Sequence, residues 1–152
     1  MPPVPEPEQT LRDASLRVTR PRLAVLAAVQ DAPHSDTTSI INGVRAGLGN
    51  VSQQAVYDVL DVLTEKGVVR RIHVPGSVPR YEARVADNHH HVVCRSCGAI
   101  ADVDCVVGDA PCLTASDTSG FAVDEAEVVF RGVCPECAIH PISVPTTKKR
   151  GT

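Results

Sequence analysis

Two Cys-x-x-Cys pairs, Cys94/Cys97 and Cys134/Cys137, constrain this chain more than any other feature. Each pair closes a tight turn that aims two thiolates at one point. Together the four thiolates make the closed, tetrahedral set of a structural zinc site. Pairs this far apart in sequence staple both ends of a small sheet. The chain has need of a staple, because only 3% of its 152 residues are aromatic and Trp is absent, so the core must rest on Val, Leu, Ile and Ala. Small domains with lean cores often depend on a metal or a partner subunit. The competing readings are inert thiols, or a redox pair in which one acidified thiol is the nucleophile. Two pairs, with no strand–helix context behind either, argue against redox chemistry.

In a secreted chain six cysteines would suggest disulfides. The N-terminus, Met1-Pro-Pro-Val-Pro-Glu-Pro-Glu, lacks the basic-then-apolar pattern of a signal peptide. No run approaches the roughly 18 apolar residues of a membrane-spanning helix. A cytoplasmic protein without membrane contact is expected, and in a reducing compartment the paired cysteines favour metal. The formal net charge of −3 gives no global signal for nucleic acid. Charge is uneven, however: residues 1–84 carry ten Lys/Arg against nine Asp/Glu, and residues 85–152 five against nine. Three of those five are Lys148, Lys149 and Arg150, in a terminal stretch (141–152) expected to be a disordered basic tail. Any DNA contact must come from a basic face on the first half.

That first half reads as helical. After a proline-punctuated arm, Glu8 to Leu16 has weak helical character. Thr19 caps a helix with Pro21 in its first turn and a Leu23, Leu26, Ala27 stripe, ending at Asp31-Ala32-Pro33. A further helix is capped near Ser35 or Asp36 and carries Ile40, Ile41, Val44 and Leu48. Ser52 then caps a helix with Val56, Val59, Leu60 and Leu63 on one face and Gly67 past its end. Val68–His73 and Val78–Glu82, around Pro75-Gly76-Ser77, make a hairpin whose second strand Pro79 should confine to an edge. Three helices and a hairpin are the winged helix-turn-helix pattern, in which the last helix enters the major groove. The second half reads as β-rich: a strand through His91–Cys94, a returning strand from Ala99 to Val103, and a third within Phe121–Phe130. A short helix fits between Pro111 and Thr118. The overall class is α+β, with a winged-helix domain over 1–84 and a small α/β domain over 85–140.

Within His89-His90-His91, a strand puts His89 and His91 on one face and His90 on the other. Imidazoles two apart can chelate one metal, although a His triplet is as often a solvated loop. Glu82 just upstream and Asp102 on the neighbouring strand extend the set. Mixed nitrogen and oxygen ligands suit iron(II), manganese(II) or zinc. On the helix after Ser52, Gln53, Gln54 and Tyr57 occupy the N-terminal, exposed end, from which they reach base edges. Arg17, Arg20, Arg22, Arg70, Arg71 and Arg80 are candidates for phosphate or groove contacts. Asp58 and Asp61 oppose this, and the bland alternative is a core helix of another all-α domain.

Taken in order, Leu16-Arg-Val-Thr-Arg-Pro-Arg22, Ala55-Val-Tyr57, His89-His-His-Val-Val-Cys-Arg-Ser-Cys97 and Cys134-x-x-Cys137 resemble the ferric uptake regulator family of bacterial metal-dependent repressors. The resemblance covers nearly the whole chain. It implies a winged helix hinged to an α/β dimerisation domain, and a homodimer that binds a palindromic operator in double-stranded DNA. By position it implies structural zinc at Cys94, Cys97, Cys134 and Cys137, and a regulatory iron(II) or manganese(II) at His34, Glu82, His89, His91 and Asp102. Tyr57 matches a base-contacting tyrosine and Arg17 a groove-contacting basic residue.

The chain also departs from the family pattern. Asp58 stands where arginine is frequent. A third metal site is matched by His90 and Asp109, but Asn88 and Ala126 replace its other histidines. Cys105 and Cys112 match no ligand. Asp102 is the residue that peroxide-sensing members tend to carry, whereas iron sensors tend to carry Glu; Glu82 is a mixed signal, since peroxide sensors often have Asp there. The expectation is a peroxide sensor resembling the actinobacterial repressors of catalase-peroxidase genes, with His34 and His89 oxidised. The alternative is an iron-responsive repressor of ferric uptake. A metalloenzyme is a further rival, but five ligands would saturate the metal and no general base is evident.

Overall fold

The computed structural model describes residues 3–74, 76–85, 87, 89–104, 115–124 and 126–140. The chain divides into two compact units, Met1–Ala86 and Asp87–Thr152.

The first unit is built from α1 (Pro7–Asp13), α2 (Arg20–Asp31), β1 (Ser35–Asp36), α3 (Thr37–Leu48), α4 (Gln53–Glu65), β2 (Arg70–Ile72) and β3 (Arg80–Glu82). Each long helix begins where a short polar side chain satisfies an orphan backbone donor. Thr19, Asp36 and Ser52 accept from the N–H groups of Arg22, Ser39 and Ala55 respectively. The ends are equally local in cause. Ala32 leaves helical geometry at φ −132°, ψ 77°, as a residue before proline must. Gly67 follows α4 at φ +68°, a conformation that costs a residue with a Cβ.

The helices close on one core. Val25, Leu26 and Val29 of α2, Ile40, Ile41 and Val44 of α3, and Val56, Leu60 and Leu63 of α4 are buried together with Leu11, Val68, Val69 and Tyr81. Burying one such aliphatic side chain stabilises by roughly 1.5–3 kcal/mol, the main force holding α4 against its neighbours. Its opposite face, with Gln53, Gln54 and Tyr57, stays exposed.

The hairpin differs from the sequence expectation. β3 lies between β1 and β2 in the order β1-β3-β2, so it is a central strand. Pro79 is tolerated because it precedes the paired residues and owes the ladder no N–H. The third strand is the dipeptide Ser35–Asp36, antiparallel to Arg80 and Tyr81; in the sequence it carries only the signature of a helix cap.

The second unit contains β4 (His89–Cys94), β5 (Ile100–Asp104), β6 (Val129–Gly132) and α5 (Pro135–Ile139). Its sheet order is β5-β4-β6, with β4 antiparallel to β5 and parallel to β6. The strand expected over Phe121–Phe130 is confined to Val129–Gly132; the described residues of 121–128 are not in a strand. Phe121 and Val123 are exposed there, and the acidic residues between them and β6 offer no apolar face to bury. Cys105, Asp109, Cys112, residues 111–114 of the Pro111–Thr118 stretch and the basic tail lie outside the described residues; the described residues 115–118 are not helical. No helix among the described residues is long and apolar enough to cross a membrane.

Candidate metal centres

The cysteine cluster is assembled by the β4–β6 pairing. Parallel register sets Cys94 opposite Gly132, and the chain then turns into α5 through Cys134 and Cys137. On the other side, the Cys94–Gly98 turn is closed by the Gly98 N–H donating to the Cys94 carbonyl at 3.0 Å, with Gly98 at φ +76°. The four sulfurs lie within 4.8 Å of one another. Cys97 and Cys134 are 3.7 Å apart. A tetrahedral zinc with Zn–S of ~2.3 Å requires sulfur–sulfur separations of about 3.8 Å. The set therefore fits zinc.

Its electrostatics suit the same ion. The Cys134 N–H donates to the Cys94 sulfur at 3.3 Å. This bond and the Cys97 N–H hold the Cys94 thiol down to about 6, so it is a thiolate at neutral pH. Burial, followed by the neighbouring thiols, pushes Cys137 up to about 12. Four thiols crowded in this way resist carrying charge together; a divalent cation removes that penalty.

The histidine–carboxylate residues fall into two groups, one in each unit. In the first unit His34 and Glu82 flank the β1–β3 ladder. The His34 N–H donates to the Tyr81 carbonyl at 2.9 Å, and Arg80 Nη1 donates to the His34 carbonyl at 3.3 Å. His34 adopts φ +65°, and its Nε2 stands 3.3 Å from Oε2 of the buried Glu82. In the second unit His91 is directly opposite Asp102 across β4–β5. Asp102 Oδ1 is 3.5 Å from His91 Nε2 and 3.8 Å from His89 Nε2. The two rings share a face, centroids 5.0 Å apart, as strand alternation requires. Donor spacings of this size suit metal–ligand bonds of about 2.0–2.2 Å, and the nitrogen–oxygen chemistry suits iron(II) or manganese(II).

Sequence reasoning missed Asp87, whose carboxylate engages Nδ1 of His89 while Nε2 faces Asp102. A carboxylate on the far ring nitrogen fixes the orientation and basicity of a ligating imidazole. Its only sequence signal is an acid two residues before a histidine. His90 points to the other face and accepts the Val128 N–H at 3.3 Å.

The residues expected to meet DNA differ in how far they are engaged within the protein. Ser52 Oγ is engaged in its cap. Gln53, Gln54, Tyr57, Arg17 and Arg20 are exposed, and Arg22 donates to the Arg17 carbonyl at 2.8 Å. Arg80 faces the His34 carbonyl. Arg71 is taken up by Asp61 and Tyr81.

The ferric uptake regulator family model matches residues 13–131. The chain belongs to the ferric uptake regulator family. It is 62% identical over 140 residues to the transcriptional regulator FurA of Mycobacterium tuberculosis, covering 92% of this chain and 95% of that one. It is 67% identical over 120 residues to ferric uptake regulation protein 1 of Mycolicibacterium fortuitum, covering 79% and 74%. Its fold matches the Vibrio cholerae ferric uptake regulator with a TM-score of 0.62 at 23% identity, covering 84% and 98%. As a family member it is a metal-responsive transcriptional regulator, not an enzyme. The architecture is thus α+β, a winged helix-turn-helix domain followed by a small α/β dimerisation domain. Its cofactors are structural zinc on four cysteines and a regulatory iron(II) or manganese(II) on histidine and carboxylate.

Proposed function

We propose that this chain is a homodimeric repressor whose regulatory metal licenses binding to a palindromic operator, and that peroxide ends that binding. It acts where the DNA is, in the cytoplasm. Residues 1–84 supply the DNA contacts and residues 85–140 the dimer contact. The regulatory ion is held by His34, Glu82, His89, His91 and Asp102, and the zinc by the four cysteines. Tyr57, Gln53 and Gln54 read the groove, and Arg17, Arg20, Arg22 and Arg80 add basic contacts around Ser52.

One observation carries the peroxide reading: the carboxylate facing both His89 and His91 is an aspartate, Asp102. In the family resemblance peroxide-responsive members tend to carry that residue, whereas Glu82 stands where they often have Asp. Bound iron(II) supplies the activation of peroxide at this site. His34 and His89 are the residues altered: one peroxide oxygen is added to a ring carbon and the other leaves as water. The imidazole gives up the two electrons that the peroxide accepts. An oxidised ring is a poorer ligand, so metal is lost and the DNA-binding conformation is no longer selected.

The test is anaerobic binding to a duplex selected from a random library by manganese-loaded protein, repeated with iron(II), before and after dilute peroxide. Binding should weaken steeply with salt and need the regulatory metal. Peroxide should abolish it only in the iron form, with one added oxygen on His34 or His89 by mass spectrometry. Retention of binding by both forms would instead favour an iron-responsive ferric uptake repressor. The name of the Mycolicibacterium fortuitum relative supports that second reading.

A further inference from the structure

We infer that Gln54 reads an adenine in the major groove, and that Asp58 is the positioning residue that sets the Gln54 amide for that base. The inference rests on the DNA-binding reading above and adds a base identity to it. Gln54 and Asp58 are one turn apart on the exposed face of α4, and Gln54 Nε2 donates to Asp58 Oδ1 at 2.7 Å. Tyr57, 44% exposed, lies beside them.

A glutamine amide alone is ambiguous, because rotation by half a turn exchanges its donor and acceptor ends. An ionised carboxylate removes the ambiguity: it only accepts, so it must face the nitrogen. One amide hydrogen is committed to Asp58. The second hydrogen and Oε1 remain for a base edge, as a donor beside an acceptor. Adenine offers the complement, an N7 acceptor beside an N6 donor. Guanine presents two acceptors and would set O6 against Oε1; cytosine offers only a donor there. Asp58 is an acidic residue on a surface meant for a polyanion. Its hydrogen bond to Gln54 gives that placement a purpose, discrimination at some expense of affinity.

The experiment uses full-length protein loaded with zinc and manganese(II). Wild type selects duplexes from a random library, and each adenine of the selected site is replaced in turn by 7-deazaadenine, which lacks N7, or by 2-aminopurine, which lacks the N6 donor. At one adenine per half-site both replacements should weaken wild type roughly tenfold and leave Gln54→Ala unchanged. Asp58→Ala should bind non-specific DNA more tightly, having lost a negative charge, yet discriminate less at that same adenine. A merely helix-stabilising Asp58 would not move affinity and discrimination in opposite directions. If Gln54→Ala responds to the modified adenines as wild type does, or if no adenine responds, the inference is overturned. Should manganese-loaded wild type enrich no sequence at all, the DNA-binding reading fails first.

Discussion

Arg71 of β2 donates to the Asp61 carboxylate of α4 across 2.7 Å, tying the wing to the helix beside it. Its Nε also reaches the Tyr81 hydroxyl at 3.1 Å, and the guanidinium carbon stands 5.5 Å from that ring's centroid. Thus an arginine expected to meet phosphate is held by an acid, and an acid expected to repel DNA is neutralised. The Asp61 side chain is 65% exposed, so water and salt screen the pair. Arg71→Ala should therefore lower unfolding free energy by no more than about 1 kcal/mol in urea titrations. Operator affinity should fall further than that, because Asp61 is left charged and uncompensated. Asp61→Asn breaks the same pair but leaves the Arg71 cation rather than an anion, and should bind DNA at least as well as wild type at low salt. Equal losses in both variants would show that the tie matters only to the fold.

The zinc site should report itself through acid. Protons compete with metal for thiolates, and Cys94, held down to about 6, is the last of the shifted thiols to take one up as pH falls. Zinc retention against a fixed chelator should thus fall as pH drops, and most steeply below about 6, where Cys94 also takes up a proton. Cys94→Ser removes the most acidic ligand and should lose zinc even at pH 7.5, with loss of the second unit's structure. Structural zinc contributes on the order of 10 kcal/mol in small domains, more than so lean a sheet can replace. Metal analysis with circular dichroism checks both. A Cys94→Ser protein that keeps stoichiometric zinc would sink the assignment.

Legibility in the sequence tracked how local the cause was. Helix α4 was readable because cap, apolar stripe and terminal glycine agree over Ser52–Gly67. The cysteine cluster was readable because Cys-x-x-Cys spacing is itself the chelating geometry. Strand β1 was not, since a dipeptide has no periodicity and its partners Arg80 and Tyr81 lie far along the chain. Phe121 and Val123 alternate like a strand, yet alternation says nothing about whether a neighbouring strand is there to pair. Nor could sequence tell that Arg71 would be spent on Asp61, because an arginine's partner is decided by tertiary register.

Asp36 gives a stability prediction with a defined pH sign. It caps α3 by accepting the Ser39 N–H at 2.8 Å, and that bond lowers its carboxyl below the ordinary value of 3.8. A depressed folded-state value means the contribution is complete above the unfolded-state value and is lost as pH falls through the folded one. Asp36→Ala should cost about 1 kcal/mol at pH 7. The gap between variant and wild type should hold down to the carboxylate range and narrow below it. Urea midpoints measured from pH 7 to pH 3 would show it; a gap that widens in acid would contradict the cap.

Glu82 and His34 separate a metal ligand from a structural pair. Glu82 is 1% exposed, and a buried carboxylate is costly unless its neighbours compensate. His34 Nε2, at 3.3 Å, is one such neighbour. Glu82→Gln keeps the shape and hydrogen-bonding capacity but removes the charge, so metal-free stability should stay within about 1 kcal/mol of wild type. His34→Ala instead leaves the carboxylate buried with one neighbour fewer, and should destabilise the metal-free protein by roughly 1–3 kcal/mol. Despite that difference, both variants should lose manganese(II) affinity at least tenfold, following the general cost of disturbing a metal's ligand shell. Zinc content should be untouched, since the cysteines are elsewhere in the sequence and of different chemistry. Manganese titration by electron paramagnetic resonance, alongside urea unfolding without manganese, reads the two effects apart. Wild-type manganese affinity in Glu82→Gln would remove Glu82 from the regulatory site, whatever the stability measurements showed.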